Sequence, residues 1–172
     1  MGRWMYRGIP VRVPASADIP APYRRGGRQA SIVQEILDDM KPWGSDGVSE
    51  TVEGFDPMPA LVIPVEDRER IWARHAGHHA KSVQCSPFVR VDGVIPTTTI
   101  FTVMMMGTPE SPMLVRAYPG DYTPPLPWQR IRHEEDRSES LMFWQEHAYV
   151  YGRLRVVAGS ECETSPDWFG VS

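Results

Sequence analysis

Ile32, Val33, Ile36, Leu37 and Met40 recur at i, i+1, i+4, i+5 and i+8, with Gln34, Glu35, Asp38 and Asp39 facing away. At 3.6 residues per turn this is one apolar stripe, and it predicts an amphipathic helix over 30–40. Ser31 is placed to cap it and Pro42 to stop it. Residues 42–59 are Gly, Ser, Asp and Pro with few apolar anchors, which predicts a long loop. The apolar run 60–63, closed by Pro64, is a short strand or a docking segment. Glu66 and Asp67 put negative charge where a helix start favours it. Ile71, Trp72, His75, His79 and Val83 then continue one stripe, which predicts a helix over 66–82. Gly77 weakens that helix by roughly 1 kcal/mol relative to Ala.

After Pro87 the period changes to two, and β-branched residues dominate. Strands are predicted over 88–94, 97–106 and 113–118, with a turn at 107–112, so 97–118 is a β-hairpin. Strict alternation puts Leu114, Arg116 and Tyr118 on one face and Val115 and Ala117 on the other. Residues 119–128 form a rigid aromatic loop carrying Tyr122 and Trp128, and 129–137 are charged and exposed. Leu141, Trp144, Ala148 and Tyr151 have helical spacing, with Asp136 or Ser138 as cap; a strand over 147–151 is the competing assignment. A closing strand is expected over 153–158, and Trp168 and Phe169 are expected to fold back onto the core.

Charge changes the picture at the N-terminus. Residues 1–28 carry six arginines against Asp18 alone, and Pro10, Pro14, Pro20 and Pro22 break them up. They predict a flexible basic arm over 1–29, either solvated or anion-binding. The rest, 30–172, is then a single α+β domain with its core at about 60–160, helices packed on one antiparallel β-sheet. A chain of 172 residues with 41% apolar and 23% charged positions suits one such domain. The net charge of −4 argues against wholesale coating of nucleic acid. Two cysteines, Cys85 and Cys162, make no disulfide framework and point to a reducing, cytoplasmic setting. Neither a leader peptide nor an apolar run of about 20 residues stands in the sequence, so no membrane partner is expected.

The densest chemistry is His75, His78 and His79, three of five histidines, spaced i, i+3 and i+4. Four readings compete. Acid–base cleavage of RNA needs a base for the 2′-hydroxyl, an acid for the leaving oxygen and a cation on the phosphate. His75 and His79 supply the acid and base, and Arg116 supplies a planar fork for phosphate. Tyr118, Tyr122 and Trp128 are candidates to stack bases, and His78, Ser138 and His147 to support the substrate. A zinc site on the predicted 66–82 helix is the second reading, with Cys85, His133 or His147 completing it. The spacing is not HExxH, because Ala76 follows His75. A Cys85–histidine nucleophile is the third. The fourth is plain packing in a non-catalytic binding or assembly protein of phage or mobile-element type.

Arg74-His75-x-x-His78-His79 ahead of a β-meander, Arg116-Ala117-Tyr118-Pro119-Gly120 at a strand end, and Ser138 followed by Phe143-Trp144-x-x-His147-Ala148 form one layout. Over about 61–151 this layout resembles the barnase–EndoU–colicin–RelE-like superfamily of small RNases, many of them bacterial toxins. The resemblance implies helices paired with an antiparallel sheet, an RNA substrate and an inhibitory or immunity protein as partner. The favoured expectation is a metal-independent RNA endonuclease with no cofactor.

Overall fold

A computed structural model describes residues 3–15, 17–44, 47–74, 85–126, 134–152, 156 and 159–161. Among the described residues the chain is α+β, with mostly antiparallel strands in three sheets and two α-helices, α1 (Ser31–Asp39) and α2 (Glu134–Glu146). A single sheet is therefore not what the sequence folds into. The backbone divides into two compact units, residues 1–58 with 97–122, and residues 59–96 with 123–172.

The first unit holds a short hairpin, β1 (Met5–Tyr6) with β2 (Ile9–Pro10), and a three-stranded sheet. In that sheet β3 (Val48–Pro59) flanks β7 (Thr97–Thr108), which pairs antiparallel with β8 (Ser111–Pro119). The predicted 97–118 hairpin and the 30–40 helix are both present, each within two residues of its expected ends. The predicted loop over 42–59 is instead largely β3. Its apolar anchors are few, but Val48 and Val52 pack against the core while Ser49, Thr51 and Glu53 are exposed. Gly54, at φ 107°, interrupts this alternation, so that Phe55 and Met58 also reach the core. That break, together with the polar outer positions, hides the strand from a periodicity count.

The expected flexible arm is also corrected. Trp4, Tyr6, Val11, Ile19 and Tyr23 are buried with Val33, Ile36 and Leu37 of α1 and with Phe101, Val103, Met105, Leu114 and Ala117 of the sheet. The segment runs beside β8 and bonds to it. Arg12 N–H donates to Pro112 O at 3.0 Å and Arg12 O accepts from Leu114 N–H at 2.9 Å. Asp18 N–H donates to Val115 O at 2.9 Å and Asp18 O accepts from Ala117 N–H at 3.2 Å. Proline blocks a helix here but not an extended segment on a sheet edge, and the aromatic residues supply the burial that composition averages away.

The second unit has a four-stranded sheet in the order β4 (Val62–Pro64), β9 (His147–Val150), β6 (Ser86–Val89), β5 (Arg70–Ala73). Its β6–β9 pair is parallel and the other two pairs are antiparallel. The predicted helix over 66–82 is corrected where it is described: a 3-10 turn at Asp67–Glu69 leads into β5, which pairs with β6 from Arg70↔Val89 to Ala73↔Ser86. Ile71 and Trp72 fit either period, and the pairing with β6 decides for the strand. The 138–151 segment resolves into both competing assignments, α2 followed by β9. The 153–158 strand, apart from Val156, and the tail with Trp168 and Phe169 lie outside the described residues.

Candidate functional site

Arg116 and Tyr118 lie on β8, but not on the face that strict alternation assigned them. Met104 stands opposite Arg116, and Met105 opposite Leu114, so Val115 is the extra residue of a β-bulge. The bulge sends Leu114 and Ala117 into the core and turns Arg116 and Tyr118 together to the other face. There the Arg116 guanidinium lies 4.5 Å from the Tyr118 ring centroid, its Nε is 3.8 Å from Asp18 Oδ2, and its Nη1 is 3.8 Å from Met104 Sδ. The Arg116 and Asp18 side chains are 16% and 19% exposed, so this pair is far less screened than one at the surface. Thr102 on the same face donates its hydroxyl to Gly120 O at 2.8 Å and lies 3.0 Å from the Thr51 hydroxyl. Tyr118 is buried, which removes it as an open platform for a base. Tyr122 is exposed, beside Asp121, whose carboxylate accepts the Tyr122 backbone N–H at 2.7 Å.

In the second unit, His147 opens β9 directly after α2 and is half-buried. Its Nδ1 lies 2.8 Å from the carbonyl oxygen of Phe143, and its ring stacks on the Phe143 ring at 4.0 Å with the planes 2° apart. A carbonyl can only accept, so Nδ1 carries the hydrogen and Nε2 carries the lone pair of the neutral ring. The Phe143-x-x-x-His147 spacing that produces this contact is visible in the sequence as an i, i+4 pair. Ser138 lies exposed on α2.

The end of α2 beneath His147 is held by a residue that sequence reasoning did not single out. Arg70, only 6% exposed, donates from Nη2 to Trp144 O at 3.3 Å and to Gln145 O at 2.7 Å. A cation on the last carbonyls of a helix satisfies them and complements the macrodipole. Trp144 is fully buried, donates its indole N–H to Pro124 O at 3.1 Å and packs 4.8 Å from Tyr149. Ser140 donates its hydroxyl to Pro125 O. The Pro-rich loop thus docks on α2 through two backbone carbonyls.

A second polar cluster in this unit was also missed. Arg90 lies 4.1 Å from the Tyr151 ring centroid, and the Tyr151 hydroxyl donates to Glu161. That hydrogen bond raises the tyrosine's pKa, aided by desolvation and the neighbouring carboxylate, while Arg90 opposes the rise. The same bond holds the Glu161 carboxyl below its ordinary range, with a backbone hydrogen bond and Arg90 adding to it. Glu161 is distant from Tyr151 in sequence terms that no short motif marks.

His75, His78, His79 and Trp128 lie outside the described residues, as does His133 of the zinc reading. Among the described residues no group of three or more His, Cys, Asp or Glu is placed to hold a metal ion. Cys85 is a half-buried thiol. No described helix is long and apolar enough to cross a membrane. The chain matches no protein-family model, no curated protein and no solved structure.

Proposed function

We propose that the chain is a metal-independent RNA endonuclease working by histidine acid–base chemistry. The observation that carries this reading is His147. It is the one histidine among the described residues, half-exposed, with its tautomer fixed by the Phe143 carbonyl and its plane fixed by the Phe143 ring. A ring held this way offers Nε2 as a base toward a 2′-hydroxyl, or as an acid toward a leaving oxygen once protonated. His147 therefore moves from a supporting role to the acid–base pair, with His75 or His79 as its counterpart. Arg116, oriented by Asp18 and Tyr118 within the first unit, is a separate candidate for phosphate contact. The likeness to small RNase toxins belongs to the same reading, and with it an inhibitory protein as partner.

A non-catalytic binding or assembly protein is the second reading, and a specific observation favours it. The Arg116–Asp18 pair ties the N-terminal segment to β8, and Tyr118 is buried, so both residues already have work in holding the fold. RNA cleavage in the presence of a chelator, by the native chain and by His147→Ala, separates the two. The RNase loses about 10²–10⁴-fold with one acid–base group removed. The binding protein cleaves nothing in either form.

A further inference from the structure

The arginines of the N-terminal segment stand on a folded surface. Trp4 donates its indole N–H to Ala30 O at 3.2 Å, Met5 exchanges hydrogen bonds with the Gln34 side chain at 3.0 and 2.9 Å, and the Tyr6 hydroxyl donates to Met40 O at 3.2 Å. β1 therefore runs alongside α1 in the same direction, and Arg3 stands toward the end where α1 begins. Arg24, Arg25 and Arg28 lie in the turns that lead into that end. Gln29 N–H donates to Pro22 O at 2.9 Å, Gly27 N–H to Arg24 O at 2.7 Å and Ala30 N–H to Gly27 O at 3.3 Å, which folds the 24–28 turns against the helix start. A Cβ on Gly27 would lie 2.3 Å from the Pro22 carbonyl oxygen, so the close return requires glycine.

We propose that Arg3, Arg24, Arg25 and Arg28 together bind the phosphodiester backbone of a nucleic acid. Arg3, Arg24, Arg25 and Arg28 are all exposed. Among the described residues the side chains of Arg3, Arg25 and Arg28 make no hydrogen bond or ion pair, and the Arg24 side chain uses only its Nε, on Ile19 O at 2.6 Å. Asp18, the one carboxylate of residues 1–28, faces Arg116 instead. The acids of α1 sit farther along: Glu35 in its second turn, Asp38 and Asp39 at its far end. The first turn holds no acid and the last no base, so charge at both ends of α1 runs against the macrodipole. The fold gains nothing from arginines at this place.

All six cations of residues 1–28 are arginine and none is lysine. Planar forks with several donors suit phosphate oxygens. An anionic membrane is the poorer match, because the apolar stripe of α1 is buried and leaves nothing to insert. An acidic protein partner is also the poorer match. The large exposed hydrophobics of this segment, Met5 and Val13, are partly covered and offer no apolar centre for such an interface.

The inference stands apart from hydrolysis, and its test uses ligands the chain cannot cleave by 2′-hydroxyl attack: labelled 2′-O-methyl RNA and DNA of the same sequence, read by fluorescence anisotropy with the whole chain. Both should bind, and log affinity should fall against log salt with a slope of about −3, roughly −0.7 for each of four neutralised phosphates. A triple variant, Arg3→Ala, Arg25→Ala and Arg28→Ala, should lose about 10-fold or more in affinity and about 2 units of that slope. Arg24 is left in place because it holds Ile19 O. Arg68→Ala, in the other unit and 83% exposed, should bind as the native chain does. If the triple variant melts early, Arg25→Glu in its exposed turn takes its place and should weaken binding by about 3-fold or more. Absence of salt-dependent binding by the native chain overturns the proposal. Native affinity in a folded triple variant overturns it too, as does binding to phosphatidylglycerol vesicles or polyglutamate without nucleic acid.

Discussion

The two units hold their polar side chains in different ways. In the first, Arg116 and Asp18 join segments about a hundred positions apart, and the backbone around Asp18 is bonded to β8 on both sides. Charge there closes a long loop. In the second, His147 is held by Phe143, one helical turn before it, and stays half-exposed. Its supports are local, and Arg70, from far along the chain, donates its Nη2 to the end of α2. A group that closes the fold cannot change its partners cheaply, whereas a group oriented by neighbours on its own element is free to meet a substrate. Chemistry is therefore expected at the second unit's imidazole, and structural cost at the first unit's guanidinium.

The sharpest break of this contrast is deletion of residues 3–28. Five apolar side chains, Trp4, Tyr6, Val11, Ile19 and Tyr23, leave the core with it. At about 1.5–3 kcal/mol each, their loss rivals the 5–15 kcal/mol that holds a typical domain together. The first unit should lose its cooperative melt by circular dichroism. A truncated chain with a native melting temperature would restore the segment to a solvated arm.

That segment also marks what the sequence reveals and what it hides. The 31–39 helix and the 97–118 hairpin are legible because one face of each is buried by its own periodicity. The N-terminal segment and β3 are not, because neither is periodic: the first is anchored by isolated aromatics between prolines, and the second alternates weakly around Gly54. Trp72 is buried, as its place in an apolar stripe predicts, but Ile71 and Trp72 do not distinguish helix from strand without the register to β6. Among the candidate functional residues, His147 and Arg116 are legible as residue types. Asp18 and Glu161 as their neighbours' partners are not, since tertiary contacts decide them. The Val115 bulge likewise appears in no residue pattern, yet it sets which face Arg116 uses.

A smaller effect sharpens the role of local support in the second unit. Arg70→Ala removes the donors to Trp144 O and Gln145 O and should cost about 1.5–3 kcal/mol, the range for a hydrogen bond to a charged group. Arg68→Ala, whose ion pair with Glu66 is at the surface, should fall within about 0.5 kcal/mol of the native chain. Equal effects in denaturant melts would mean that Arg70 does not hold the end of α2.

The smallest effect is on pH dependence. The Tyr151 pKa is raised, so its contact with Glu161 favours the fold below the ordinary tyrosine value of about 10 and is lost as pH rises through the raised one. The Glu161 pKa is lowered, so the contact contributes above the ordinary glutamate value of about 4.3 and is lost as pH falls through the lowered one. In an ultraviolet titration, Glu161→Gln should move the ionisation of one phenol to lower pH than in the native chain. Identical titration curves for the native chain and Glu161→Gln would break the Tyr151–Glu161 pairing.

The most direct measurement of the functional claim is the product of RNA incubated with the purified chain in EDTA across pH 5 to 9. Cleavage is expected to end in a 2′,3′-cyclic phosphate, spare DNA for want of a 2′-hydroxyl, follow a bell-shaped pH profile and fall about 10²–10⁴-fold in a folded His147→Ala variant. Intact RNA with demonstrably folded protein would contradict it, and so would cleavage that His147→Ala leaves unchanged.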